Sequence, residues 1–155
     1  MQRCSHFQNP GLIKASIGEF VTQDGFKLAL HFETEMKYPC FNYHINTIED
    51  VGENHINDVL NGVNEIGICL TAIGPASSEV DLEHLSNGSY SLMFANMGSA
   101  STGLLVLTDD DVSIRLLPGR TIVLTRNKIK RLKKGTYFGT IAYHKENSLA
   151  DVEAF

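Results

Sequence analysis

Six cations fall within residues 126 to 134: Arg126, Lys128, Lys130, Arg131, Lys133 and Lys134. At this density such side chains bind anions, whether nucleic-acid phosphates, an acidic polymer or an anionic membrane. Read as a strand, Arg126, Lys128 and Lys130 point the same way, and Ile129 and Leu132 can anchor the backbone. Aromatic interleaving is poor, because only Tyr137 and Phe138 follow, after the run ends. The net charge of −5 also opposes approach to a polyanion. The simpler reading is a charged edge that resists aggregation, or one that faces the acidic part of the same chain or of a neighbour. Nucleic acid is not the expected partner.

Glu79, Asp81, Glu83 and His84 form a second cluster. Alternation along a strand puts the three carboxylates on one face, where they could collect a calcium ion. A solvated strand face reads the same way and is the expectation, so no metal or other cofactor is assigned. Asp109, Asp110 and Asp111 are read as turn residues. No histidine pair has ligand spacing, and His31 and His44 are expected on a polar sheet surface or in solvent.

Nucleophile signatures are missing. There is no G-x-S-x-G elbow. Gly98 and Gly103 are spaced as in a phosphate-binding loop, but Leu104 stands where lysine is needed. Of the three cysteines, Cys40 lies four residues from His44, about 13 Å along a strand, too far for an activated pair. Cys40 and Cys69 are either free buried thiols or a disulfide joining two strands, and Cys4 is unpaired in both cases. The disulfide would imply an oxidising compartment. No enzymatic activity is expected. The sequon Asn87-Gly88-Ser89 would matter only in a secreted eukaryotic protein.

These residues must be held by strands. Leu85 to Phe94 reads L-S-N-G-S-Y-S-L-M-F, in which Asn87-Gly88 is a turn pair and Tyr90, Leu92 and Phe94 alternate. Phe26, Leu28, Leu30 and Phe32 share one face of a strand over 26–36, with Lys27, His31 and Glu33 on the other. Further short strands are expected around 18–23, 41–46, 56–60, 66–72, 80–82, 104–107, 112–116, 121–124 and 137–143. Residues 1–16 read as a loose lead-in, and 96–102 as a loop. Asn61-Gly62 reads as a hairpin turn and Gly74-Pro75 as a strand breaker. Ser148 with Asp151 resembles a capping box that would start a short helix over 149–155. Short strands at this spacing predict an all-β antiparallel sandwich or partly open barrel with a short C-terminal helix.

At 155 residues the chain suits one domain. A sandwich core is expected over about 18–107, followed by a basic β extension and terminal helix over about 112–155. Charge divides the same way. Residues 1–111 hold four basic and fifteen acidic residues, whereas 112–145 hold nine basic and none acidic. No apolar run approaches the roughly 18 residues that would span a membrane as a helix. Met1 to Ser16 has no apolar signal region. The compartment stays open: cytoplasmic, or extracytoplasmic if an export signal has been removed.

Leu85, Gly88, Tyr90 and Leu92 form the pattern L-x-x-G-x-Y-x-L. It resembles the late strand of immunoglobulin-like and fibronectin-type sandwich modules, in which a tyrosine follows a corner. The resemblance implies that the Tyr90 hydroxyl bonds back to the preceding connection. It covers about residues 18–107, without the core tryptophan of antibody-type domains and with no cysteine two residues after Tyr90. Such modules bind, bridge or display. The expected function is a non-enzymatic binding or assembly module, by protein–protein contact, adhesion or surface display, with some self-association between acidic and basic regions. The alternatives are an anionic-ligand binder through Arg126 to Lys134, and a small-molecule barrel or enzyme whose site is assembled from distant residues.

Overall fold

Strict alternation of apolar residues dictates most of the strands. The computed structural model describes residues 9–22, 25–40, 42–67, 72–82, 84–117 and 119–133 of the 155. They form β1 (Ile13–Thr22), β2 (Gly25–Tyr38), β3 (Tyr43–Val51), β4 (His55–Glu65), β5 (Gly74–Asp81), β6 (Gly88–Asn96), β7 (Ser99–Leu107), β8 (Asp111–Leu116), β9 (Ile122–Arg126) and β10 (Lys128–Lys130). There is no helix among the described residues. The helix expected over 149–155 and the strand expected over 137–143 lie outside them.

Several boundaries differ from the sequence expectation, each for a local reason. The lead-in becomes β1 from Ile13, because Ile13, Ala15 and Ile17 all bury completely. Asn61-Gly62 makes no turn. Gly62, at φ 95°, instead lets β4 bulge opposite β3, where the register steps from Ile45↔Val63 to Thr47↔Leu60. Gly74-Pro75 opens β5 rather than breaking a strand. Ile66 lies just beyond β4 and is exposed, and 68–71 lie outside the described residues. The loop expected over 96–102 is a two-residue hairpin at Met97-Gly98, both with positive φ (47° and 83°), so the ladder resumes at Asn96↔Ser99.

All ten strands belong to one sheet, in the order β10-β8-β7-β6-β4-β3-β5-β2-β1-β9. Most neighbours are antiparallel, but β1/β9, β3/β5 and β4/β6 run parallel. The sheet rolls into a nearly closed, barrel-like layer rather than separating into two sheets. Inward-facing residues of distant strands meet: Phe32 of β2 and Phe94 of β6 pack edge-to-face with ring centroids 5.2 Å apart. Such a pair is worth about 1 kcal/mol beyond its burial.

One segment closes the roll. β9 pairs with β1 at one end of the sheet, and β10 pairs with β8 at the other. Only Asn127 separates them, and its carbonyl accepts the Ile114 N–H at 2.7 Å. A single stretch of chain thus changes partner midway and joins both sheet ends. β8, β9 and β10 are thus strands of the same sheet as β1 to β7.

Candidate functional site

The cations of residues 126–133 sit on this closing segment, and most of them meet acids of their own chain. Lys128 Nζ lies 3.3 Å from Asp111, and Lys133 Nζ lies 3.2 Å from Asp110. Arg131 Nε lies 3.6 Å from Glu19, whose carboxylate is only 4% exposed and also accepts the Leu132 N–H. Charges that segregate along the sequence are thereby brought together in space. Arg126 and Lys130 make no ion pair among the described residues, and Lys134 lies outside them. Among the five described cations, three are thus engaged by carboxylates of their own chain.

The acidic cluster divides similarly. Cross-strand pairing sets Asp81 near Lys27 at 3.4 Å and Glu79 near His31 at 3.7 Å. Glu83 lies outside the described residues, and His84 is exposed in the turn that follows. No group of three or more His, Cys, Asp or Glu side chains is placed to hold a metal among the described residues.

Tyr90 is buried, and its hydroxyl donates to the Ser86 carbonyl at 2.6 Å. That bond ties down the connection from β5 to β6, which passes over β3 and β4 in the sheet order. Gly88 opens β6 beside the tyrosine ring. Cys40 is buried and disulfide-bonded, and both other cysteines, Cys4 and Cys69, lie outside the described residues.

Sequence reasoning missed a row of polar side chains on the outer face. Pairing aligns Arg126 of β9 with Ser16 of β1, Ser16 with His31 of β2, and His31 with Glu79 of β5. A bulge creates the first of these pairs. The β1/β9 register passes from Ala15↔Leu124 to Ser16↔Arg126, and the skipped Thr125 donates its hydroxyl to the Ala15 carbonyl at 3.3 Å. Bulges re-aim side chains in this manner. The row lines an outward groove of about 380 Å³, walled by Phe20 and Thr125 and floored near Gly18. The Phe20 ring folds back over Gly18, where an added Cβ would meet it at 2.9 Å.

His31 Nδ1 is shielded from solvent and makes no hydrogen bond, and its 3.7 Å approach to Glu79 is too long to count as one. Ser16, His31 and Glu79 stand in the order of nucleophile, base and carboxylate. No hydrogen bond joins Ser16 to His31, however, and that contact is what activates a serine.

A second unpredicted feature lies inside the barrel. Asp58 of β4 faces the core beside Phe94 and is fully buried, and neither carboxylate oxygen has a hydrogen-bond partner. Burial, reinforced by Glu49 on the paired strand, raises its pKa to about 7. Asn96 Oδ1 and the Ser101 hydroxyl are also buried without partners.

The third feature is apolar. On the outer face, Ile48 of β3 pairs with Val59 of β4, Val59 with Ala95 of β6, and Ala95 with Ala100 of β7. Met93 and Leu104 lie in the next rows. Ile48 is 60% exposed, Leu104 43%, and Val59 and Met93 37% each. Scattered exposed apolar residues are ordinary, and these are instead grouped on the outer face of four neighbouring strands.

Comparison with protein-family models, curated proteins and solved structures finds no match.

Proposed function

We propose that this protein is a non-enzymatic binding and assembly module that associates with a second copy through the outer face of β3, β4, β6 and β7. The observation that carries the reading is the size gradient along the row Ile48, Val59, Ala95, Ala100. A two-fold axis running along the strands between β4 and β6 would set Ile48 of one copy over Ala100 of the other, and Val59 over Ala95. Large side chains then meet small ones, as a self-complementary interface requires. The same operation brings the exposed Arg115 of one copy toward the corner that holds Asp50 of the other. The tie from Tyr90 to Ser86 is in keeping with the immunoglobulin-like likeness of the Leu85–Leu92 stretch, a class of module that bridges or displays.

An anionic-ligand role for the whole stretch from Arg126 to Lys134 is disfavoured by the pairing of Lys128, Arg131 and Lys133 with their own chain's acids.

The test is sedimentation equilibrium across a wide concentration range. The native chain is expected to dimerise. Ala95→Val should weaken the dimer at least tenfold by colliding with Val59 of the other copy. Adding Val59→Ala should restore most of the loss, because the large and small positions merely exchange. A native chain that stays monomeric at ~1 mM, where even weak contacts register, overturns the proposal. So does a double variant no tighter than Ala95→Val alone.

A further inference from the structure

We infer that the groove crossed by Arg126, Ser16, His31 and Glu79 binds a small zwitterion, a ligand carrying a carboxylate at one end and an ammonium at the other. This goes beyond the assembly role, since the groove lies on β9, β1, β2 and β5, away from the apolar row.

The order of charges across the strands defines the ligand. Arg126 supplies a cation with no ion pair among the described residues. Next to it stands the Ser16 hydroxyl, which makes no hydrogen bond there. Then comes the imidazole of His31, and finally the Glu79 carboxylate, about half exposed and not hydrogen-bonded to the ring beside it. A simple anion would satisfy Arg126 and Ser16 but would be repelled by Glu79. A simple cation would satisfy Glu79 and be repelled by Arg126. Only a ligand with both charges uses the whole row.

The spacing sets its length. Arg126 and Glu79 are three strand spacings apart, roughly 14 Å between backbones. Both side chains can lean into the groove, so the charges they meet lie closer than that. An anion and a cation about 6–8 Å apart suit the site, as in a five-carbon ω-amino acid or a dipeptide, given about 1.25 Å of advance per bond of an extended chain. The carboxylate would lie over Arg126, where guanidinium geometry allows paired hydrogen bonds. The ammonium would lie over Glu79. The connecting carbons would run across the floor near Gly18, against the Phe20 ring.

Two features support a built site. The bulge at Ala15/Ser16, pinned by Thr125, is what turns Arg126 onto this face in line with Ser16. His31 Nδ1 is a buried nitrogen without a hydrogen bond, placed within the row. A groove of about 380 Å³ holds a ligand of this size.

The test is titration of the whole chain with 5-aminopentanoate, pentanoate and pentylamine, followed by amide NMR shifts and calorimetry. 5-Aminopentanoate is expected to bind at least tenfold tighter than either singly charged compound, with shifts centred on Ser16, His31, Glu79 and Arg126. Arg126→Gln should reduce its affinity to the pentylamine level, and Glu79→Gln to the pentanoate level. Both side chains are exposed, so these variants should fold, and the three-ligand comparison on the native chain stands without them. Pentanoate binding as tightly as 5-aminopentanoate would overturn the inference. So would shifts for none of the three compounds, or shifts centred elsewhere.

Discussion

Asp58 is the residue whose chemistry is most at odds with its surroundings. A carboxylate in the core without hydrogen bonds is costly when charged, so folding favours its protonated form. The folded chain holds the proton up to about pH 7, whereas the unfolded chain releases it near the ordinary value of 3.8. Stability from this group is therefore complete below pH ~4 and is lost as pH rises toward 7, a total of roughly 4 kcal/mol. Asp58→Asn removes the titration. The variant is expected to be more stable than the native chain at pH 8, with the difference shrinking as pH falls toward 4. Urea unfolding at pH 4, 6 and 8 measures it, and parallel stability profiles for the two proteins would refute the assignment. The position gives little warning in the sequence. Asp58 alternates in phase with Ile56 and Leu60, which is the one signal that it points inward.

At the scale of the element, the segment that carries β9 and β10 decides whether the barrel closes. Its ion pairs are not equivalent. Arg131 meets Glu19, a nearly buried carboxylate that also receives the Leu132 N–H, so one side chain of β1 holds the chain beyond β10. Lys133 and Asp110 meet in solvent, at 78% and 74% exposure. Removing one partner of a buried pair strands a charge, at a cost of about 3 kcal/mol. Exposed pairs contribute less than about 1 kcal/mol. Arg131→Ala should therefore destabilise the fold several times more than Lys133→Ala in denaturant titrations, and equal losses would mean that Glu19 does not clasp the seam. The cationic density of this segment is plain in the sequence. Its role as a seam is not, because no local pattern says that β9 and β10 pair with opposite ends of one sheet.

For the whole molecule, the separation of charge along the chain suggests copies held head to tail by electrostatics, which ~0.5 M salt would weaken. The fold redirects those charges inward on itself: Asp110, Asp111 and Glu19 meet Lys133, Lys128 and Arg131 of the same chain. The surface proposed for association is the apolar block on β3, β4, β6 and β7. Dimerisation is accordingly expected to change less than tenfold between 0.05 and ~0.5 M salt, since burial of apolar area is not screened. A loss of two orders of magnitude by sedimentation would return the contact to the charged regions.

In β2 and β6, local alternation determined which face would be buried. Leu28, Leu30 and Phe32, or Tyr90, Leu92 and Phe94, declare their inward face from spacing alone, and all six are buried. The all-β class follows from those patterns and from the turn residues between them. Which strands become neighbours was decided only by the tertiary structure. Ser16, His31, Glu79 and Arg126 share a row because β1 lies between β2 and β9, and because a bulge at Ala15/Ser16 steps the register by one residue. The pairing of Ile48, Val59, Ala95 and Ala100 has the same origin. A strand's face is a property of its own period of two. Its partner and register depend on how the whole chain buries its apolar surface, and a shift of one residue turns every side chain to the opposite face.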